Sequence, residues 1–227
     1  MKNKILWGLT FLPMIVTAVV LRFMPDDVPM HYNISGEIDR WGSKYENFIF
    51  PCIIIVMTVF WLILMRYYRK KQKRLNDDKA IKEAQNNEKI LYYVAVSMAA
   101  MFGCLHYFSL YGAYVITKGN MTAMPIKIDD VVNILMGIVF IVLGNVLPKA
   151  KLNSVVGVRT VWSMHNDITW AKSNRFGGAV LMVCGVLTLI ETLIIGGFAS
   201  TVIMLAMLLG FAVVVCVYSY KVYNKYK

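Results

Sequence analysis

Six apolar runs of 17 to 27 residues decide what this chain can fold into. They are Ile5 to Leu21, Phe48 to Met65, Ile90 to Ile116, Val131 to Leu147, Phe176 to Ile195 and Phe198 to Tyr220. A hydrocarbon core about 30 Å thick takes about 20 helical residues to cross, with about 17 to 25 tolerated, so all six qualify and the third can tilt or protrude. In lipid every backbone amide must be paired within its own helix or within a closed barrel, and runs without period-two alternation choose the helix. Composition agrees, since 58% of residues are hydrophobic and 16% charged, against about 25% charged in an average soluble domain. The expected fold class is an all-α polytopic membrane protein with six transmembrane helices.

Basic residues set the orientation. With the N-terminus inside, the inner segments hold nineteen of the 24 Lys and Arg: Lys2 and Lys4, the nine between Arg66 and Lys89, then Lys149, Lys151, Arg159, Lys172, Arg175, Lys221, Lys225 and Lys227. Five lie at the outer face (Arg22, Arg40, Lys44, Lys118, Lys127). The positive-inside rule then gives an N-in, C-in chain. The net charge of +11 becomes a signal of topology, and direct nucleic-acid binding loses its support. Lys2 and Lys4 before an apolar core, with small residues at Val16 and Ala18, also fit a cleaved signal peptide; cleavage would leave five spans in the same orientation. The four cysteines (Cys52, Cys104, Cys184, Cys216) fall inside spans and read as small apolar packing groups. Small residues at Ala95, Ala99 and Gly103, at Gly137 and Gly144, and at Gly178 and Gly185 offer stripes for close helix approach. No internal repeat or pair of broken helices suggests a secondary transporter.

Three loops divide the chain into a two-span unit (1–68), a basic cytoplasmic linker (69–89) and a four-span unit (90–227). In the outer loop Pro25 ends the first helix and pushes Met24 out of helical geometry, Pro29 keeps the chain extended, and Asn33 to Gly36 has turn chemistry. A short extracellular hairpin-like loop is expected. Asp26, Asp27, His31, Glu37 and Asp39 offer oxygen and nitrogen ligands, but their spacing matches no metal motif, so no metal or cofactor is assigned. The linker opens with RYYRKKQKR (66–74), suited to anionic lipid or to docking a soluble partner. The fourth loop, 144–178, carries Pro148 as a helix stop, Ser163 as a candidate N-cap, and an expected interfacial cytoplasmic helix from Met164 to Arg175. That helix would show a stripe of Met164, Ile168 and Ala171 and leave Trp162 and Trp170 at headgroup depth.

The inner loop, with GN, LPK, K-L-N, GVRT, two tryptophans and R-F-G-G, resembles the SdpI family of bacterial membrane proteins. The outer loop, with MPDDVP, His, Gly, Asp and SK, resembles the small uncharacterised domain that often precedes it. The matching positions are Pro25, Asp26, Pro29, His31, Gly36, Asp39 and Lys44 outside. Inside they are Gly144, Asn145, Pro148, Lys149, Lys151, Asn153, Gly157, Arg159, Thr160, Trp162, Trp170 and Arg175. The resemblance implies a multi-pass protein of the bacterial cytoplasmic membrane that confers immunity to a secreted antimicrobial peptide toxin and signals by holding a soluble transcriptional repressor at the membrane. The chain departs from the family at Val161 (proline in relatives), Ser163-Met164 (threonine-leucine) and Ser173-Asn174 (threonine-histidine). No mechanism needing an imidazole at the last position can operate here.

Two ionisable residues lie within spans. His106 is sixteen residues into the third run, about 15 Å from its outer end, and Glu191 is four residues from the end of the fifth, within about 6 Å of the outer interface. Intramembrane ionisable groups are functional candidates, so an ion or proton pathway through His106 and Glu191 stands as the alternative to immunity. A lipid-directed enzyme is disfavoured, because His165 and Asp167 form the sole nearby acid–base pair and point apart on a helix. The chain therefore reads as a non-enzyme, with membrane lipid, an extracellular peptide and an inner repressor as its candidate partners.

Overall fold

The computed structural model describes residues 3–33, 36–74, 76–119, 126–153 and 155–227. Among them six helices are long and apolar enough to cross a membrane. They are α1 (Asn3–Val20), α2 (Ile49–Gln72), α3 (Asp78–Gly119), α4 (Ile128–Val146), α5 (Asp167–Ile194) and α6 (Gly197–Tyr226). Every expected span is present, and each helix reaches past its apolar run at one end or both. The longest, α3, has 42 residues and at 1.5 Å per residue is about 63 Å long, twice the hydrocarbon thickness. Its first turns, DKAIKEAQNNEK, contain strong helix formers and neither glycine nor proline. Much of the basic linker is thereby helical, and Arg69 and Gln72 of α2 clasp Glu88 of α3 at 2.5 and 2.9 Å.

The helices form two groups. In the first, Leu6 of α1, Ile54 and Met65 of α2, and Leu91, Ala95 and Ala99 of α3 make one buried cluster. Gly103 leaves room for Pro13, whose ring lies 3.9 Å from where a Cβ would stand. Thr10 of α1 bonds Thr58 of α2 at 2.9 Å, and Thr17 of α1 bonds His106 of α3 at 2.7 Å. With Leu6, Thr10 and Thr17 fully buried, α1 is an integral wall of the bundle.

In the second group glycines bring α4 and α5 into backbone contact. A Cβ on Gly144 would sit 2.6 Å from the Gly178 carbonyl, and one on Gly185 would sit 2.6 Å from the Gly137 carbonyl. The two glycine stripes expected for the fourth and fifth spans therefore face each other, as small residues do where helices associate in lipid. The α5–α6 connection is only Ile195 and Gly196, and Gly196 has φ 66°. Asp130 of α4 accepts from the Gly197 amide at 2.5 Å, capping α6. Asn133 of α4 donates to Ser200 and Thr201 of α6 at 3.2 and 3.1 Å.

One element departs from expectation. There is no separate helix from Met164 to Arg175: residues 161–166 are turns, and Asp167 to Arg175 form the first turns of α5. The cap is Asn166, whose side chain accepts from Ile168 and Thr169, so Ser163 is not the cap. The chain continues straight into the bundle because Trp170, Ser173 and Asn174 are buried against the preceding loop and nothing breaks the helix after Arg175. Ile168 and Ala171 remain exposed.

Gly185→Val should force α4 and α5 apart, since the atoms in the way are the backbone of Gly137 and Ile141. Overpacking of this kind costs about 1–3 kcal/mol. Thermal unfolding of the purified protein in detergent should show a lower midpoint. Gly210→Ala, with nothing within 4 Å of the new methyl in the middle of α6, should not lower the midpoint.

Candidate functional site

The connectivity puts the two loop motifs at opposite ends of the bundle. One lies between α1 and α2, the other between α4 and α5.

The first motif is a two-stranded antiparallel hairpin, β1 (Asp27–Tyr32) with β2 (Ile38–Ser43), as the turn chemistry led us to expect. Ile34 and Ser35, within the expected turn, lie outside the described residues. Met24 is extended (φ −101°, ψ 147°) just before Pro25, as its position demands. Gly36 has φ 83°, a left-handed conformation open to glycine. Pro29 is buried and pairs across from Trp41. The hairpin rests on the bundle through Val28, which is fully buried against Leu21, Met24, Leu110 and Ala113.

The charged motif residues close the hairpin with local pairs. The Lys44 ammonium reaches Asp26 at 3.0 Å and the Met24 carbonyl at 3.2 Å, while the Lys44 amide donates to the Asp26 carbonyl at 2.8 Å. His31 Nδ1 lies 2.6 Å from Asp39. Asn33 accepts from the Glu37 amide and donates to its carboxylate. The acids are thus distributed over different partners, and among the described residues no three His, Cys, Asp or Glu side chains converge on a common point. Burial pushes the Tyr32 phenol up from its ordinary value. Sequence reasoning passed over Ser43 and Glu46, which form a capping box whose carboxylate also holds Arg40 at 2.9 Å. The S-x-x-E spacing was the available signal.

At the other end, Pro148 opens a short 3-10 turn, Leu147–Lys149, and its ring lies against Gly178 of α5. The chain then winds over the start of α5. Asn153 organises the first bend by accepting from the Val155 and Val156 amides at 2.8 Å each and donating to the carbonyls of Lys151 and Val156. Gly157 has φ 141°, and a Cβ there would lie 2.5 Å from the Trp170 ring and 2.7 Å from Asn174. Trp170 is 2% exposed and its indole N–H donates to the Ala150 carbonyl at 2.7 Å, so its ring is enclosed by protein. Asn174 is fully buried, accepts from the Val158 amide at 2.8 Å and donates to the Trp170 carbonyl at 3.0 Å. It ties the loop to α5.

Thr160 and Ser163 exchange reciprocal bonds of 2.9 Å, and the Ser163 hydroxyl also donates to the Val158 carbonyl at 2.7 Å. Ser163 is fully buried, so these bonds are sheltered from solvent. Val161 is 88% exposed, so its substitution for proline costs no packing. The loop leans on the end of α6: Trp162 packs on Tyr220 at 5.1 Å, His165 on Tyr223 at 5.0 Å, and Asn166 donates to the Tyr226 carbonyl at 3.1 Å. This aromatic tail escaped the sequence reading, although the Tyr220, Tyr223, Tyr226 spacing was visible. His165 and Asp167 do not meet, since Asp167 faces Lys79 at 3.3 Å. Asn145, Lys149, Lys151, Arg159 and Arg175 are exposed, and among the described residues these four cations form no ion pair.

The intramembrane pair is separated. His106 belongs to the first helix group. The Thr17 hydroxyl donates to the Pro13 carbonyl at 2.8 Å and so offers its oxygen to His106 Nε2–H. Glu191 lies on α5 with both carboxylate oxygens buried and no partner among the described residues. It lies three residues before the end of α5.

Comparison with known proteins matches residues 8–55 to a domain of unknown function, DUF1648, and residues 149–219 to the SdpI/YfhL protein family. The chain is 22% identical over 224 residues to Immunity protein SdpI of Bacillus subtilis (strain 168), covering 99% of this chain and 97% of that protein. No solved structure matches. The chain is thus similar to the SdpI/YfhL family over residues 149–219 and to DUF1648 ahead of it, and among the described residues six helices are long and apolar enough to cross a membrane.

Asn174→Ala should free the loop by leaving the Val158 amide without its acceptor. A lost bond of this type, with a buried donor unsatisfied, costs about 1–3 kcal/mol. Limited trypsin digestion should cut at Lys151 or Arg159 faster than in the wild type, with cleavage at Arg40 unchanged.

Proposed function

We propose that this SdpI-like protein confers immunity to a secreted antimicrobial peptide toxin and signals by recruiting a soluble repressor to the membrane. The observation that carries the reading is the near full-length similarity to Immunity protein SdpI. The orientation is N-in and C-in, so the hairpin faces outside and the 147–166 loop faces the cytoplasm. Nineteen basic residues on the loop side support this. The outer face carries Asp26, Asp27, Glu37, Asp39, Glu46, Asp129 and Asp130, a surface suited to a cationic peptide. On the inner face Arg159 and Val161 project from a loop held by Trp170 and Asn174, an exposed basic and apolar pair for a protein partner.

A toxin-sensitive bacterial host expressing the protein should survive a peptide toxin that kills the same host with an empty vector. Correct insertion with unchanged killing by every peptide toxin tried would refute the reading. Arg159→Ala should keep survival and abolish membrane localisation of a fluorescently labelled repressor partner, because it removes an exposed side chain that makes no ion pair.

A second reading, an ion or proton pathway, draws on the buried and unpartnered Glu191 carboxylate. It expects liposomes carrying the protein to show a pH-dependent flux that Glu191→Gln removes. Liposomes as tight as protein-free ones eliminate it.

A further inference from the structure

An open cleft of about 820 Å³ separates α3 from the α4–α5 pair at the end that bears the 147–166 loop. Its lining is divided along the helix axes. Toward the middle of the bundle it is mostly apolar, with Val96, Ile141 and Met182 beside Ser97. Toward the end of α4 it carries Lys89, Lys149, Asn145 and the Tyr93 ring, with Ile90, Val142 and Val146 between them. Lys89 precedes Val96 by seven residues on α3, and Lys149 follows Ile141 by eight, so charge and apolar wall are about 10–12 Å apart on both sides.

Neither ammonium has a carboxylate partner among the described residues. Two nearby acids are committed elsewhere: Glu88 holds Arg69 and Gln72, and Asp167 faces Lys79. The Asn86 side chain donates to the Lys149 carbonyl, tying α3 to the turn after α4 and fixing the two lysines on one cleft. The side facing the surroundings stays open, with Tyr93 42% and Val142 38% exposed.

The geometry points to a binding site for one anionic diacyl phospholipid. Lys89 and Lys149 take the phosphate from either side, Asn145 supplies a further donor, and an acyl chain runs along Val96, Ile141 and Met182. Two uncompensated positive charges above an apolar wall match a headgroup with net negative charge, whereas a zwitterionic headgroup brings its own cation. A free phosphate would use the lysines and leave the wall empty.

Native mass spectrometry of the intact protein released from detergent tests this, with phosphatidylglycerol, phosphatidylcholine or glycerol 3-phosphate added. One phosphatidylglycerol adduct should survive activation that strips phosphatidylcholine, and glycerol 3-phosphate should neither persist nor displace it. Lys89→Gln and Lys149→Gln should each lower retention about five-fold. Lys172→Gln with Lys225→Gln, which removes two charges from the same end outside the cleft, should leave it unchanged. Equal retention of the two lipids, full retention by the Lys89→Gln/Lys149→Gln protein, an equal loss in the control, or displacement by glycerol 3-phosphate would each overturn the assignment.

Discussion

The close approach of α4 to α5 is the constraint on which the loop end depends. At Gly137, Gly144, Gly178 and Gly185 the two backbones come so near that a single methyl on any of them would meet main-chain or ring atoms within 3 Å. In lipid there is no hydrophobic force to push helices together, so contact of this kind, with its many small dispersion gains, takes over that role. The contact extends one step further. Pro148, the residue that ends α4, lies on Gly178, and the chain leaves α4 already pressed against the first turns of α5. Trp170 and Asn174 can then reach Ala150 and Val158.

The hairpin end is built differently. There the anchoring centres on Val28, set among Leu21, Met24, Leu110 and Ala113 with Pro29 buried beside it and Met30 and Phe48 packed on the same cluster. The hairpin's polar pairs join residues close in sequence, such as His31 with Asp39 and Arg40 with Glu46. Exposed ion pairs of this sort contribute little, about 0–1 kcal/mol. The hairpin therefore keeps its place by the cluster around Val28 and by the Lys44 clasp on Asp26 and Met24, while most of its charge stays available to solvent.

Most of the architecture was legible in the amino-acid sequence because lipid leaves so few choices. The six helices, the facing glycine stripes, the break at Pro25 and the hairpin all follow from hydropathy, backbone hydrogen bonding and turn chemistry. What was not legible depended on contacts between distant segments. The run after Ser163 has the pattern of a surface helix, but Trp170 finds a carbonyl twenty residues away and α5 begins at Asp167 as an inward-facing helix. Residue count puts Glu191 close to the end of its helix, where it is found, but could not show that both of its carboxylate oxygens are buried. The partnership of the loop with Tyr220 and Tyr223 crosses more than fifty residues, so the tyrosine spacing alone could not name the loop as its partner.

One further consequence belongs to α3. At its far end Leu110 and Ala113 support the hairpin through Val28, and at its near end Ile90 packs with Trp170 and Ala150 while Asn86 bonds Lys149. About 34 Å of uninterrupted helix lies between Ile90 and Ala113, without a proline anywhere along it. The motif at one end of the bundle and the motif at the other are thus seated on a single helix. The spacing between them is set by the rise of that helix, about 1.5 Å for each residue.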